Sequence, residues 1–131
     1  EALGGKVAPA GHGWCIGNHR FGISRAEAWM HPKQEAIQLL MSCQDQVKVL
    51  PPEAEVLATS TCCPIGMFRV GEKMLGIQAH PEFSKAYTRL LVESRVARIG
   101  QKEVAQAVQS LEASVDREVI SNWISNFVTQ E

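Results

Sequence analysis

Pro81 divides the chain into two parts of different character. It has no backbone N–H and fixes its own φ, so no regular helix can continue through it. Before it, short apolar runs separated by glycine- and proline-containing turns indicate β-strands. After it, Ser84 is a favourable helix N-cap, and apolar residues then recur at helical spacing. The sequence therefore predicts a sheet-rich part, residues 1–83, followed by helices in residues 84–131.

The individual elements follow from apolar runs and from the turns between them. The predicted strands are Lys6 to Ala8, Trp14 to Arg25 (one strand or a hairpin), Val56 to Ser60, Pro64 to Val70 and Met74 to Gln78. Glu35 to Leu40 is apolar, but its periodicity does not separate strand from helix. The predicted helices are Lys85 to Ile99, Lys102 to Leu111 and a third that starts at an N-cap, Ser114. Trp29 and Met30 are interpreted as packing anchors rather than a ligand platform.

Composition limits the classes of function. The 131 residues are 45% hydrophobic and 21% charged, which is typical of one globular domain with a core. The formal net charge of −1, without a basic run, gives no reason to expect a nucleic-acid partner. No apolar stretch reaches the length of a membrane span and no signal peptide is visible, so we expect no membrane partner and a cytoplasmic location.

The four cysteines are Cys15, Cys43, Cys62 and Cys63. Without a secretory signal they are expected to be reduced thiols. The adjacent pair Cys62-Cys63 does not have the spacing typical of a zinc site. A metal site built from this pair and a histidine remains an alternative, but the sequence favours a protein without metal or cofactor.

His80 and Glu82 are the residues most suited to catalysis. The run from Met74 to Ile77 is a predicted buried strand that delivers them, and Pro81 pushes His80 towards an extended conformation. Residues i and i+2 of an extended chain point the same way. The Glu82 carboxylate would then hold one ring nitrogen of His80 and leave the other for a third group, as in a nucleophilic triad.

The segment Gly-Ile-Gln-Ala-His-Pro-Glu-Phe, residues 76–83, resembles the catalytic His-Pro-Glu segment of class I glutamine amidotransferases. The resemblance is to those similar to the glutaminase domain of GMP synthase, and it covers most of residues 1–95. It implies an α/β fold, the flavodoxin-like sandwich with a mostly parallel central sheet. This chain would contribute the C-terminal part, a sheet with a hairpin plus closing helices. The resemblance also favours a strand at Glu35 to Leu40.

The same resemblance assigns functional residues. The family hydrolyses the side-chain amide of glutamine with a Cys-His-Glu triad, and His80 and Glu82 fall on the histidine and glutamate positions. Met-Ser-Cys-Gln-Asp-Gln-Val, residues 41–47, resembles the family's Ser-His-x-Asp-x-Val segment. Backbone groups at Ser42 and Cys43 would help to hold glutamine. Cys43 stands where histidine is usual, which puts a side-chain role there in doubt.

The nucleophile is expected to lie outside the chain. Glu-Ala-Leu-Gly-Gly at residues 1–5 resembles the end of the helix that follows the family's Gly-x-Cys-x-Gly-x-Gln nucleophile elbow. The catalytic cysteine would then precede residue 1, and the chain would be inactive alone. Two alternatives remain. One is a γ-glutamyl peptide hydrolase on the same scaffold, and the other is a truncated, non-enzymatic binding module.

The resemblance also implies an association. If the first half of the domain is absent, a sheet edge and apolar side chains such as those of Leu75 and Ile77 are exposed. We therefore expect either a homo-oligomer or association with the N-terminal part of the domain.

Overall fold

The computed structural model describes residues 1–130, in which seven strands are followed by four helices. The strands form a five-stranded sheet and a two-stranded sheet. The strands are β1 (Lys6–Pro9), β2 (Cys15–Ile23), β3 (Ala36–Cys43), β4 (Asp45–Val49), β5 (Ala54–Thr59), β6 (Met67–Val70) and β7 (Met74–Ile77). The helices are α1 (Lys85–Glu93), α2 (Val96–Ile99), α3 (Gln101–Ser110) and α4 (Arg117–Thr129). The predicted change from strands to helices after Phe83 is therefore present.

The larger sheet has the strand order β3-β2-β5-β6-β7, and each neighbouring pair is antiparallel. Strand β2 is one continuous strand, not a hairpin, and β3 is a strand as the resemblance favoured. β6 and β7 form the predicted hairpin. Its tight turn contains Gly71, whose φ of 57° lies in the left-handed region that glycine adopts readily.

The smaller sheet pairs β1 with β4 in antiparallel orientation. Strand β4 was not predicted, because the polar residues of Asp45–Val49 give no apolar run. Gln46 is nevertheless buried, and its side chain donates a hydrogen bond to the Cys62 carbonyl at 2.9 Å. Gln78 accepts a hydrogen bond from the Val47 N–H at 3.3 Å, which ties β4 to the segment after β7.

The core lies on both faces of the larger sheet, because successive side chains of a strand point to opposite faces. On one face, Phe21 and Ile37 pack in a cluster with Leu57, Ile120 and Trp123. On the other, Ile16 packs with residues of α1 and α3, namely Val92, Val104 and Ala107. Trp29 and Met30 are buried in the first cluster, and the Trp29 ring contacts Phe127 edge to face at 5.2 Å, which confirms the packing role.

The helix predicted from Lys85 to Ile99 is two helices in the structure. Ser84 is its N-cap as predicted, since the Ser84 hydroxyl accepts a hydrogen bond from the Tyr87 N–H at 3.1 Å. The helix ends at Ser94, whose hydroxyl donates to the Leu91 carbonyl at 2.7 Å. Such local side-chain bonds compete with the helical ladder, and they are not visible in the apolar pattern.

The predicted N-cap at Ser114 is also wrong, because α4 begins after Asp116. Asp116 is held by strand β3 through two hydrogen bonds. Its N–H donates to the Gln38 carbonyl at 2.9 Å, and its carboxylate accepts from the Gln38 N–H at 2.7 Å. This tertiary contact sets the start of the helix.

Two further expectations are corrected. Cys15 and Cys62 form a disulfide, so the prediction of reduced thiols is wrong for these two, whereas Cys43 and Cys63 are free. The pairing joins a strand to a turn 47 residues away, which no local pattern reveals. Leu75 and Ile77 are partly buried against the core; exposed apolar side chains include Leu3, Val7, Val49 and Met74.

The fold class is mixed α and β, as expected, but the strand pairs among residues 1–130 are antiparallel rather than parallel. None of the helices in this range combines the length and the apolar character required to cross a membrane.

Candidate active site

His80 lies three residues beyond the end of β7. Main-chain hydrogen bonds connect this segment to two other parts of the fold. The Gln78 N–H donates to the Gly66 carbonyl at 2.9 Å, and the His80 N–H donates to the Leu40 carbonyl of β3, also at 2.9 Å. Pro81 then prevents a regular helix from continuing through this point. The imidazole is therefore carried by a segment that is anchored to strand β3.

The His80 and Glu82 side chains meet as their spacing predicts. His80 Nδ1 lies 2.7 Å from Glu82 Oε1. An ionised carboxylate is only an acceptor, so Nδ1 carries the proton in this hydrogen bond. Neutral His80 then has its unshared electron pair on Nε2, which is the nitrogen available as a base.

The electrostatics of Glu82 agree with this arrangement. Partial burial acts to raise the pKa of Glu82, but the hydrogen bond from His80, a backbone hydrogen bond and the charge of His80 outweigh it and lower the pKa below its usual value. Glu82 is thus ionised at neutral pH. Its side chain is 63% exposed and that of His80 is 32% exposed, so the pair is accessible from solvent.

An aromatic stack orients the imidazole. The ring of Phe83 lies parallel to that of His80, with centroids 4.1 Å apart and an interplanar angle of 4°. Tyr87 in turn contacts Phe83 edge to face at 4.7 Å. The role of Phe83 was missed at the level of sequence. An aromatic residue directly after His-Pro-Glu was the only signal, and contact between its ring and the imidazole depends on the turn geometry.

Ser42 and Cys43 end strand β3, which also carries Leu40, the main-chain partner of His80. Within the described residues, neither is hydrogen bonded to His80 or Glu82. Both are partly buried, and Cys43 lies opposite Cys15 in the β2–β3 register. The strand that carries Ser42 and Cys43 is therefore hydrogen bonded to the His80 backbone through Leu40.

The free cysteines are poorly suited to act as nucleophiles. Burial raises the pKa of the Cys43 thiol, and Asp45 adds to this, while a hydrogen bond with Gln46 opposes it. Cys63 is fully buried, and burial together with the charge of Cys43 raises its pKa to about 12. Since the thiolate is the reactive species, both side chains are largely unreactive thiols at neutral pH.

A second group of chemically active side chains lies away from His80. Cys15, His19 and Cys62 each place one potential ligand atom within 4.8 Å of the other two. It is the one such group among residues 1–130. The alternative of a metal site from Cys62, Cys63 and a histidine therefore differs from the observed group in one member, because the group contains Cys15 rather than Cys63.

Comparisons with known proteins agree with the fold. No protein-family model matches the chain. It is 29% identical over 96 residues to γ-glutamyl peptidase 3 of Arabidopsis thaliana, covering 71% of this chain and 39% of that protein. It is 34% identical over 93 residues to the glutamine-hydrolyzing GMP synthase of Caldanaerobacter subterraneus subsp. tengcongensis, covering 66% of this chain and 17% of that protein.

A solved structure extends the similarity over nearly the whole chain. A glutamine amidotransferase from Thermotoga maritima superposes with a TM-score of 0.75 over 98% of this chain at 17% identity. The chain spans 56% of that protein, so it corresponds to little more than half of its length. The chain is therefore class I glutamine amidotransferase-like, with relatives in sequence among GMP synthases and γ-glutamyl peptidases and the flavodoxin-like class I fold of glutamine amidotransferases.

Proposed function

We propose that this chain is the part of a glutamine amidotransferase-like enzyme that supplies the general base and its orienting carboxylate. The observation that carries this proposal is the 2.7 Å contact between His80 Nδ1 and Glu82 Oε1, which leaves Nε2 free. The parent reaction is hydrolysis of the glutamine side-chain amide to glutamate and ammonia.

The roles of the two residues follow from the hydrogen bond. His80 Nε2 takes the proton of a cysteine thiol, and the thiolate attacks the amide carbon of glutamine. The imidazolium then protonates the leaving nitrogen, which departs as ammonia and leaves a γ-glutamyl thioester. Water, activated by the same imidazole, hydrolyses the thioester to glutamate. Glu82 stabilises the imidazolium in each half of the cycle.

The thiol in this proposal comes from another polypeptide segment. Cys15 and Cys62 are paired in a disulfide, and the pKa values of Cys43 and Cys63 are raised. The His80 and Glu82 side chains are open to solvent, which leaves room for such a segment beside them. The isolated chain is consequently inactive. Backbone groups of Ser42 and Cys43, on the strand that anchors His80, are proposed to help hold the glutamine.

This chain has an exposed apolar surface that suits the proposed partner segment. Apolar side chains line a groove of about 260 Å³ between the two sheets, and its exposed members are Leu3, Val7, Val49 and Met74. Strand β7 forms the adjoining open edge of the larger sheet. An apolar patch beside an unpaired strand favours association. We assign it to the remainder of the domain, since the Thermotoga relative is longer than this chain; a homo-oligomer is the rival arrangement.

Hydrolysis of γ-glutamyl peptides is the second candidate function. It is favoured by the similarity to γ-glutamyl peptidases 3 and 4 of Arabidopsis thaliana, of which the chain spans 39% and 36%. Both reactions cleave a γ-glutamyl amide through the same intermediate, so the triad geometry does not separate them. The difference lies in whether the leaving group is ammonia or an amine.

The test uses the polypeptide encoded together with its upstream reading frame, beside the 131-residue chain alone. Glutamine and γ-glutamyl peptides are assayed in parallel for ammonia and for released amine. We expect the longer protein to hydrolyse glutamine and the chain alone to remain at background. Preference for γ-glutamyl peptides would establish the second candidate. Absence of both activities from a folded longer protein would leave the non-enzymatic binding module. Light scattering gives the association state, for which a 14.4 kDa monomer would contradict the homo-oligomer.

A further inference from the structure

The group formed by Cys15, His19 and Cys62 lies apart from the His80–Glu82 pair and takes no part in the proposed reaction. Cys15 and His19 lie on strand β2, and Cys62 lies in the turn after β5. The candidate ligand atoms are all within 4.8 Å of one another, and the two sulfurs are bonded. Tetrahedral zinc with sulfur and nitrogen ligands holds them about 3.5–3.8 Å apart, so small side-chain rotations would suffice.

One ring nitrogen of His19 is hydrogen bonded to the backbone, as is common for metal-bound histidines. Its Nε2 lies 2.6 Å from the Ile16 carbonyl oxygen. A carbonyl only accepts, so Nε2 carries the proton and the neutral ring has its lone pair on Nδ1. Metal-bound histidines commonly donate their other N–H to a backbone carbonyl, which fixes tautomer and ring orientation.

Cys62 lies in a turn that is closed by several hydrogen bonds. The Ser60 N–H donates to the Cys63 carbonyl at 3.0 Å, and the Cys63 N–H donates to the Ser60 carbonyl at 3.2 Å. The Cys62 N–H donates to the Ser60 hydroxyl at 3.3 Å, and the Cys62 carbonyl accepts from the buried Gln46 side chain at 2.9 Å. The position of the sulfur is thus set by its surroundings, which lowers the ordering cost of binding a ligand.

Strand β2 has an unusual backbone conformation between Cys15 and His19. Positions i and i+4 of a regular strand lie about 13 Å apart. Between Cys15 and His19, Gly17 has a φ of 87°, in the left-handed region. An alanine there would be strained, and its Cβ would lie 2.5 Å from the Ser110 hydroxyl. The irregular strand is therefore built into the packing of α3.

We propose that the reduced chain binds one divalent zinc ion through Cys15, His19 Nδ1 and Cys62, and that the Cys15–Cys62 disulfide is the oxidised state of the same site. A phosphine or dithiol reductant transfers two electrons to the disulfide, and each sulfur takes up one proton. Zinc binding then releases these two protons as the thiolates coordinate. Two sulfurs and one imidazole nitrogen suit zinc rather than magnesium or calcium. Water completes the four-coordinate shell.

The test starts from the oxidised 131-residue chain. It is reduced anaerobically with a phosphine, which competes little for zinc, and is titrated with zinc against a chromophoric chelator. Cobalt is titrated in parallel, because thiolate-to-cobalt charge-transfer bands report sulfur ligation. We expect one ion per chain after reduction and none before it. Binding of no ion by the reduced chain would overturn the proposal.

Variants identify the ligands. Cys62→Ser and His19→Gln are expected to weaken zinc binding by more than about 100-fold, the upper range for loss of an outer-shell partner. The matched controls Cys43→Ser and His12→Gln should bind as the unsubstituted chain does. His12 is exposed and Cys43 lies outside the group. Binding that survives His19→Gln, or that Cys43→Ser abolishes equally, would contradict the assigned ligands. His19→Gln decides the matter if Cys62→Ser does not fold.

Discussion

Two histidines of this chain are each held through one ring nitrogen, but by partners of different chemistry. His80 Nδ1 donates to the Glu82 carboxylate at 2.7 Å, whereas His19 Nε2 donates to the Ile16 carbonyl at 2.6 Å. A carboxylate stabilises the imidazolium and so favours a base that accepts a proton. A carbonyl orients the neutral ring and so favours a metal ligand. In our proposals, the hydrogen-bond partner of each histidine therefore distinguishes the role assigned to it.

The two regions also differ in their completeness. The group of Cys15, His19 and Cys62 lies on one strand and one turn. Core packing and hydrogen bonds hold these two segments together. The His80–Glu82 pair, in contrast, lies beyond a strand end and is exposed to solvent. In our proposals the first site needs only a reductant and an ion, whereas the second needs another polypeptide segment.

The largest expected effect comes from His80. In the longer protein, His80→Asn should lower kcat by about 10⁴-fold or more, because the base that activates the thiol is lost. The matched substitution His12→Asn changes an exposed loop histidine and should leave kcat within about twofold of the unsubstituted enzyme. Steady-state ammonia release measures both. Equal effects from the two substitutions would remove the catalytic assignment of His80.

Reduction of the disulfide is expected to have the second-largest effect. The Cys15–Cys62 disulfide joins residues that are 47 positions apart in sequence. Cleaving it is expected to lower the free energy of unfolding by about 2–4 kcal/mol. Urea unfolding with and without a phosphine, in the presence of a chelator, measures the difference. Cys62→Ser is the control, since the reductant should have no effect on it. Unchanged stability of the unsubstituted chain would mean that the cross-link is not formed in solution. Zinc added after reduction should restore part of the loss.

A smaller loss of folding stability is expected for Gly17→Ala. The positive φ and the close approach of α3 both oppose a side chain there, so we predict destabilisation by about 1–3 kcal/mol. Gly11→Ala is the matched control, because nothing lies within 4 Å of its added Cβ, and it should change stability by less than about 1 kcal/mol. Urea unfolding of the oxidised chains compares them. A stable Gly17→Ala chain would show that this strand irregularity is dispensable.

The smallest effect concerns pH. The folded pKa of Glu82 is lowered, so its contribution to stability is present above the unfolded pKa and is lost as pH falls through the folded pKa. Carbon NMR of the carboxyl group should give a midpoint below 4.5, with Glu82→Gln providing the assignment. In a His80→Asn chain the midpoint should move upwards, since the largest opposing hydrogen bond is removed. If the titration midpoint of Glu82 did not change in that variant, the hydrogen bond between His80 and Glu82 would be contradicted.

Much of the fold could be predicted from short-range patterns. The alternation of strands and turns gave β2, β5 and the β6–β7 hairpin, and helical spacing gave α3. The His80–Glu82 contact followed from local spacing around a proline, which is also why it could be expected without the tertiary structure. Each of these signals lies within about ten residues of the chain.

Most of the errors in the sequence-based prediction have a different origin. The Cys15–Cys62 pair, strand β4 and the start of α4 at Asp116 all depend on partners distant in sequence. Gln46 is polar and yet buried, because a main-chain carbonyl across the fold accepts its amide. Periodicity carries no information on such partners, and neither does the count of cysteines. The position of His19 beside the two sulfurs was missed for the same reason.

The hydrogen bond from the His80 N–H to the Leu40 carbonyl has a consequence for changes in chain length. Loss of one residue between Ala36 and Leu40 would turn every later side chain of β3 to the opposite face. Leu39 and Met41 would leave the core cluster that contains Trp123, while the anchor of His80 shifted along the strand. Insertions at the exposed Gly11 turn would disturb neither. Among natural variants of this chain, we therefore expect β3 to keep its length and the turn at Gly11 to vary.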